Sequence, residues 1–423
     1  MTDQDSILNR TYEELKAKTE LTPEETNILK LLEDKISLSI SDEQKREMEI
    51  NELVDILGKT IKQDNTNKLI SFLGMLSTYT ESNQFNVSFR APSSTGKSYI
   101  PLELSYLFPS EDVMKIAYSS PTAFFHDKGT WNAEDGTITI NLHQKILIFM
   151  DQPHDQLLQR LRPLLSHDQK ELTCKITDRS EKYGQKTKNI KLVGYPSVFF
   201  CTGSLNIDEQ ETTRNVLLSP ETTEEKIREA IQLKLMKEAN KTKYDEWVNS
   251  DERRKFLIQR IRAIKEEGIK QIIIPNEIDI FNRYRETQTK LKPRASRDIE
   301  RLCSIIKSLA LLNCWTRERN EEMNLLASQK DVDNAFSIWS EIALSQELGI
   351  PPFVYKVFEE VVKPICTNGT NKKEIAVKYL EKYGRYVSDR YLTRELIPAM
   401  ENSGLIYEEL NPDNRREKLI YAV

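Results

Sequence analysis

The rhythm of apolar and polar positions changes three times along the 423 residues. Residues 1–62 are charged and helix-prone, and Thr22-Pro23-Glu24-Glu25 has the form of a helix start. Thr caps, Pro sits in the first turn where its missing N–H is harmless, and Glu faces the positive end of the dipole. Ile28, Leu29, Leu31, Leu32 and Ile36 follow as apolar positions, so a small helical appendage is predicted.

From 63 to 220 the texture switches to short apolar runs, at 85–89, 138–140, 146–150, 190–193 and 198–201. Helical stretches separate several of them, which predicts a three-layer α/β domain with a mostly parallel sheet. From 221 to 348 the pattern is almost wholly helical, broken briefly at 273–275. From 351 to 423 it reads as three helices and then two short strands.

Composition narrows this picture. The length is too great for one average domain. A net charge of −5 means that any nucleic-acid site must be a local basic patch on an acidic body,. The five cysteines form no CxxC pair or zinc-finger spacing, so reduced thiols are expected,. The N-terminal stretch is too polar for a signal peptide, and no apolar run nears the roughly 20 residues that span a membrane. A soluble, cytoplasmic protein is expected.

The strongest motif is Ala91-Pro92-Ser93-Ser94-Thr95-Gly96-Lys97-Ser98, a relaxed Walker A pattern with Ala at its first position. Such a loop joins a strand to a helix and presents backbone N–H groups to phosphates. An alternating strand pattern precedes it, and Ser98-Tyr99-Ile100 opens an apolar-periodic helix with Pro101 in its first turn,. Lys97 is expected to reach the β- and γ-phosphates of ATP, and Ser98 to ligate Mg²⁺. Tyr99 adjoins the same site.

Ile146-Leu147-Ile148-Phe149-Met150-Asp151 has the Walker B shape, an apolar strand ending in an acid that holds Mg²⁺,. Gln152 stands where a Glu usually polarises the attacking water. Gln can orient a water but cannot take its proton, so either hydrolysis is slow or another carboxylate such as Asp155 assists.

Ser119-Ser120-Pro121-Thr122-Ala123-Phe124-Phe125 and Gly136-Thr137-Ile138-Thr139-Ile140 lead into the acidic strand, and a helix over 156–165 follows. Strands over 172–177 and 187–192 flank a turn at 179–185, and the chain re-enters the sheet at 196–201. In this order the motifs resemble the AAA+ ATPases with a hairpin before the sensor-1 strand. They are most similar to the minichromosome-maintenance (MCM) replicative helicases and their mobile-element relatives. The resemblance spans about residues 65–345 and the C-terminal segment.

It implies an AAA+ P-loop sandwich at 63–220, a helical lid at 221–348 and a C-terminal winged helix at 351–423. It makes Thr202 or Ser204 the sensor-1 group, although the family more often has Asn there. It makes Arg214, in Glu211-Thr212-Thr213-Arg214, the arginine finger toward a neighbouring subunit, and Arg297, in Ser296-Arg297-Asp298, the sensor-2 arginine. A lone surface arginine is ordinarily a weak ion-pair residue; motif order singles these two out.

The hairpin turn carries Arg179, Lys182, Tyr183, Lys186 and Lys188, suited to neutralising DNA phosphates and stacking on a base in a ring's pore,. Arg390 and Arg394 on the second helix of the C-terminal pair, and Arg415 and Arg416 at the wing tip, could meet phosphates or a groove,. The resemblance thus implies an ATP-driven homo-hexameric DNA helicase or translocase with Mg²⁺, any primase or polymerase being a separate chain. A slow-hydrolysing initiator or loader, and a DNA-binding regulator with a vestigial ATP site, stay open as alternatives.

Overall fold

The computed structural model describes residues 41–117, 129–132, 136–167, 169–178, 186–205, 213–288, 290–412 and 417–423, with Lys18 and Thr22. The expected helix after Thr22, the 119–125 motif, Arg179, Lys182, Tyr183, Arg415 and Arg416 lie outside the described residues. Lys186 and Lys188 are described as strand backbone only.

The elements run α1 (Ile50–Leu57), α2 (Asn65–Leu76), β1 (Asn86–Arg90), α3 (Tyr99–Ser105), β2 (Val113–Ile116), β3 (Thr130–Asn132), β4 (Thr137–Asn141) and β5 (Ile146–Phe149). Next come α4 (Asp155–Leu165), β6 (Glu171–Asp178), β7 (Lys186–Val193), β8 (Ser197–Thr202) and β9 (Asn215–Leu218). A helical region follows: α5 (Glu224–Ala239), α6 (Lys241–Asn249), α7 (Glu252–Glu267), β10 (Ile272–Ile273), α8 (Glu277–Glu286), α9 (Ala295–Leu312), β11 (Leu325–Leu326), α10 (Gln329–Ser340) and α11 (Ala343–Leu348). The last unit is α12 (Pro352–Val357), α13 (Lys372–Tyr383), α14 (Asp389–Tyr391), α15 (Ile397–Asn402), β12 (Ile406–Leu410) and β13 (Lys418–Ala422).

The central sheet has the order β2-β5-β8-β1-β9, and every pairing in it is parallel. Strands β5, β8 and β9 are largely apolar and buried along their whole length because both faces are covered, as a parallel sheet requires,. Ile146 and Ile148 point to one face and Leu147 and Phe149 to the other, the alternation of a strand dividing two cores,.

On the first face Val87, Phe89, Phe199 and Val216 join α1, α2, α7, α9 and α10 in one core. Leu53, Ile56 and Leu57 of α1 belong to it, so this helix packs as part of the α/β body. On the second face α4 presents Leu157, Leu158, Leu161, Leu164 and Leu165 at helical spacing,. Beside α4 lies a second sheet of order β3-β4-β7-β6, in which β6 and β7 form the expected hairpin. This outer layer is therefore part helix and part sheet.

The edge strand β9 is sealed by a side chain. Leu217 donates its N–H to Gln346 Oε1 at 2.9 Å and accepts from Gln346 Nε2 at 2.8 Å. Gln346 is fully buried on α11, so the otherwise open edge is covered,.

In the last unit α14 and α15 flank a π-helical turn, Leu392–Leu396, and β12 pairs antiparallel with β13. Thr370 makes a further antiparallel bridge to Ile420. Its core, Val354, Val357, Val361, Ile375, Leu396 and Met400, also receives Leu205 from the loop after β8. Among the described residues no helix is long and apolar enough to cross a membrane.

Candidate nucleotide site

The loop 91–98 leaves the C-terminal end of β1, with Ala91 fully buried where strand becomes loop. It turns by two left-handed residues, Ser94 at φ 65° and Gly96 at φ 92°. The second value lies in a region that side-chain-bearing residues rarely adopt, which accounts for glycine there. Thr95 Oγ1 donates to the Pro92 carbonyl at 2.9 Å, and Lys97 Nζ donates to the same oxygen at 2.8 Å. Ser93 and Ser94 are exposed, and Ser98 is the residue before α3. Tyr99 OH donates to the Thr60 carbonyl at 2.8 Å and ties the helix start to the loop after α1.

Burial pushes the Lys97 ammonium below its ordinary value, and the negative charge of Asp151 acts against that shift. Asp151 is exposed just beyond β5, and its Oδ1 accepts from the Gln152 N–H at 2.8 Å. Beneath the loop Cys201 donates to the Lys97 carbonyl at 3.6 Å, and burial raises its thiol to about 12, so the sulfur stays neutral.

The Gln152 side chain lies with Arg90, Pro153, Leu158 and Phe200 on the second face, and its Oε1 is buried without a hydrogen-bond partner. This places the amide in the packing below the loop.

Strand β8 lies between β1 and β5, so the loop after it emerges between Lys97 and Asp151. Thr202 is buried and its Oγ1 accepts from the Ser204 N–H at 3.1 Å. Ser204 gives its carbonyl to Arg90 Nη1 at 3.1 Å and its hydroxyl to Glu395 Oε2 at 3.3 Å.

A cavity of about 590 Å³ opens beside the loop, a volume ordinary for a cofactor-sized ligand,. Ser94, Thr95, Gly96 and Tyr99 form one wall, Thr60 and Ile61 a second, and Ile227 and Ile231 of α5 a third. Ile227 and Ile231 are half exposed and one helical turn apart on α5. Tyr383 and Arg385, from the C-terminal unit, line the cavity as well. Gly384, at φ 64°, ends α13 in the left-handed turn that separates them,.

Arg214 and Arg297 sit elsewhere. They line a second cleft of about 580 Å³ with Ser82, Asn86, His167, Arg301 and Lys307. This cleft lies where β1 and β9 begin, with Asn86 paired to Asn215, whereas the phosphate loop follows the other end of β1. Five residues of strand, roughly 17 Å, separate the two ends. Arg214 Nε donates to Ser166 Oγ at 2.5 Å, and Arg297 Nη1 to Thr213 Oγ1 at 2.7 Å. Arg301, next to them, bonds the Thr213 carbonyl and Asp298 Oδ1, and burial lowers its guanidinium to about 10.

Thus Lys97 and Asp151 come together, while the two arginines come together with each other at the opposite end of the sheet. Sequence reasoning missed Tyr383, Arg385 and Glu395. Only the Ile227, Ile231 and Leu235 stripe on α5 carried a readable signal, its four-residue spacing,. Arg390 and Arg394 are exposed on the helical segment that also carries Glu395. No family model and no curated protein matches the chain.

Proposed function

We propose that the chain is an ATP-driven ring ATPase of the AAA+, MCM-like kind that moves on DNA. The observation that carries this reading is the split distribution of the site. One end of the sheet holds the phosphate loop, Asp151 and the 590 Å³ cavity; the other gathers Arg214 and Arg297 in a 580 Å³ cleft. A head-to-tail neighbour brings such ends together, and repetition of that contact makes a ring when its rotation closes.

On this reading the nucleoside occupies the cavity, with Ile227 and Ile231 against the base. Backbone N–H groups of Ser94, Thr95 and Gly96 bind phosphate oxygens, and Lys97 leaves the Pro92 carbonyl for the β- and γ-phosphates. The Ser98 hydroxyl and Asp151 carboxylate are hard oxygen donors that suit Mg²⁺, and the Asp151 charge already reaches Lys97,. Mg²⁺ supplies neutralisation of the phosphate oxygens when bound. Arg214 and Arg297 of one subunit meet the γ-phosphate held by the next, so hydrolysis changes the interface. The β6–β7 hairpin then carries the change to DNA.

The helices from α5 to α11 serve as the lid, and the C-terminal unit, with its helices and antiparallel strand pair, as a winged helix. The Thr370–Ile420 bridge supports the latter. The position of Gln152 favours a second reading. With its amide packed against the second face of the sheet and no acid at this position, a slow-hydrolysing loader that assembles on DNA fits too.

The test is ATPase activity with and without single-stranded DNA, with mass in solution read under the same conditions. The proposal expects a nucleotide-dependent ring, DNA stimulation, and loss of at least about a hundredfold in Lys97→Ala. A persistent monomer without DNA-stimulated turnover overturns it. Unwinding of a forked duplex separates a motor from a loader.

A further inference from the structure

The C-terminal unit touches the nucleotide site at three separate points. Tyr383 and Arg385 line the cavity beside the phosphate loop. Glu395 Oε2 accepts from the Leu205 N–H at 2.7 Å and from Ser204 Oγ at 3.3 Å, holding the loop that emerges between Lys97 and Asp151. The Phe353 N–H donates to Ser219 Oγ at 3.2 Å, and that hydroxyl donates to the Arg90 carbonyl, the last of β1, at 2.6 Å.

The cavity wall made by this unit is built in advance. Arg385 Nη2 donates to Tyr379 OH at 2.9 Å, and Tyr383 OH donates to Glu360 Oε2 at 2.9 Å. The rings of Tyr379 and Tyr383 are 4.8 Å apart. A side chain already held in place loses little freedom when a ligand arrives. The cavity lining carries five positive and three negative side chains, a balance that suits a polyanion.

We infer that the C-terminal unit completes the nucleotide site of its own chain. Tyr383 and Arg385 close on the bound nucleotide while Glu395 clamps the loop after β8, so nucleotide binding and docking of the unit are coupled. The inference rests on reading the cavity as a nucleotide site. It makes the unit a sensor of nucleotide as well as a DNA module. Coupling of this kind is reciprocal: nucleotide tightens the clamp, and the clamp tightens nucleotide binding.

The test titrates Mg·ADP into the full chain by calorimetry and follows hydrogen exchange at the Leu205 amide. Arg385→Ala is expected to bind ADP about tenfold more weakly, the effect of one charge-assisted contact. Lys373→Ala removes a charge from an exposed site of the same unit and leaves binding unchanged. In the unsubstituted chain ADP slows exchange at Leu205, an arm independent of how any variant folds. ADP affinity within twofold of the parent in folded Arg385→Ala, or Leu205 exchange indifferent to ADP, overturns the inference and leaves the nucleotide reading standing. Failure of the parent chain to bind Mg·ADP removes both.

Discussion

Replacing Gln346 with leucine isolates what one side chain does for the sheet. The change keeps volume and apolar contact but deletes the amide, leaving the Leu217 N–H and C=O without partners. Both Leu217 and Gln346 are fully buried, so water does not replace the lost bonds. A buried backbone group left unpaired costs about 1–3 kcal/mol, and two such groups cost roughly 2–6 kcal/mol. The burial of added apolar carbon returns about 1 kcal/mol. The expected net loss is about 3 kcal/mol, measured by urea unfolding through the change in midpoint at constant slope. A loss below about 1 kcal/mol would refute the claim that Gln346 seals the edge of β9.

Three further outcomes follow from particular positions. Gly96→Ala adds a methyl group that meets nothing closer than Tyr99 Cβ at 4.0 Å, but at φ 92°. The free loop relieves this strain, of order 1–3 kcal/mol, by shifting, and binding reimposes it, so Mg·ADP should bind at least about fivefold more weakly with a small change in melting temperature. Lys68 is buried, with Nζ 3.5 Å from the Ile61 carbonyl, and burial lowers its ammonium to about 8. Below pH 8 it is protonated folded and unfolded; between 8 and its ordinary value the unfolded chain holds the extra proton, so stability rises with pH. The stability of Lys68→Met relative to the parent should therefore fall by about 2 kcal/mol from pH 7 to pH 9.5, checked by urea titrations at both. Glu395→Ala leaves the Leu205 N–H without that acceptor and should speed its exchange about tenfold or more,.

The strands at 146–149 and 197–202 were legible because buried parallel strands are unbroken apolar runs,. The loop from Ala91 to Ser98 was legible because its left-handed turn demands a glycine,. Strand β2 was not, since this edge strand, with Lys115 exposed among half-buried Val113, Met114 and Ile116, offers no unbroken apolar run. Strand β9 was hidden within the arginine segment, being only four residues long. The grouping of Arg214 with Arg297 could not be read either, because they are far apart in sequence and are brought to one cleft by the tertiary contact of α9 with Thr213. The place of Arg385 at the cavity depends on how the C-terminal unit docks, which local pattern does not encode.

On the proposed reading each ATP site is shared between two chains, one giving Lys97 and Asp151 and the next giving Arg214. Mixing Lys97→Ala with Arg214→Ala subunits before assembly tests it directly. Each variant alone should be inactive as an ATPase. In a random mixture about a quarter of the interfaces pair an intact phosphate loop with an intact arginine, so activity should return to about that fraction. A mixture no more active than either variant alone would contradict the account.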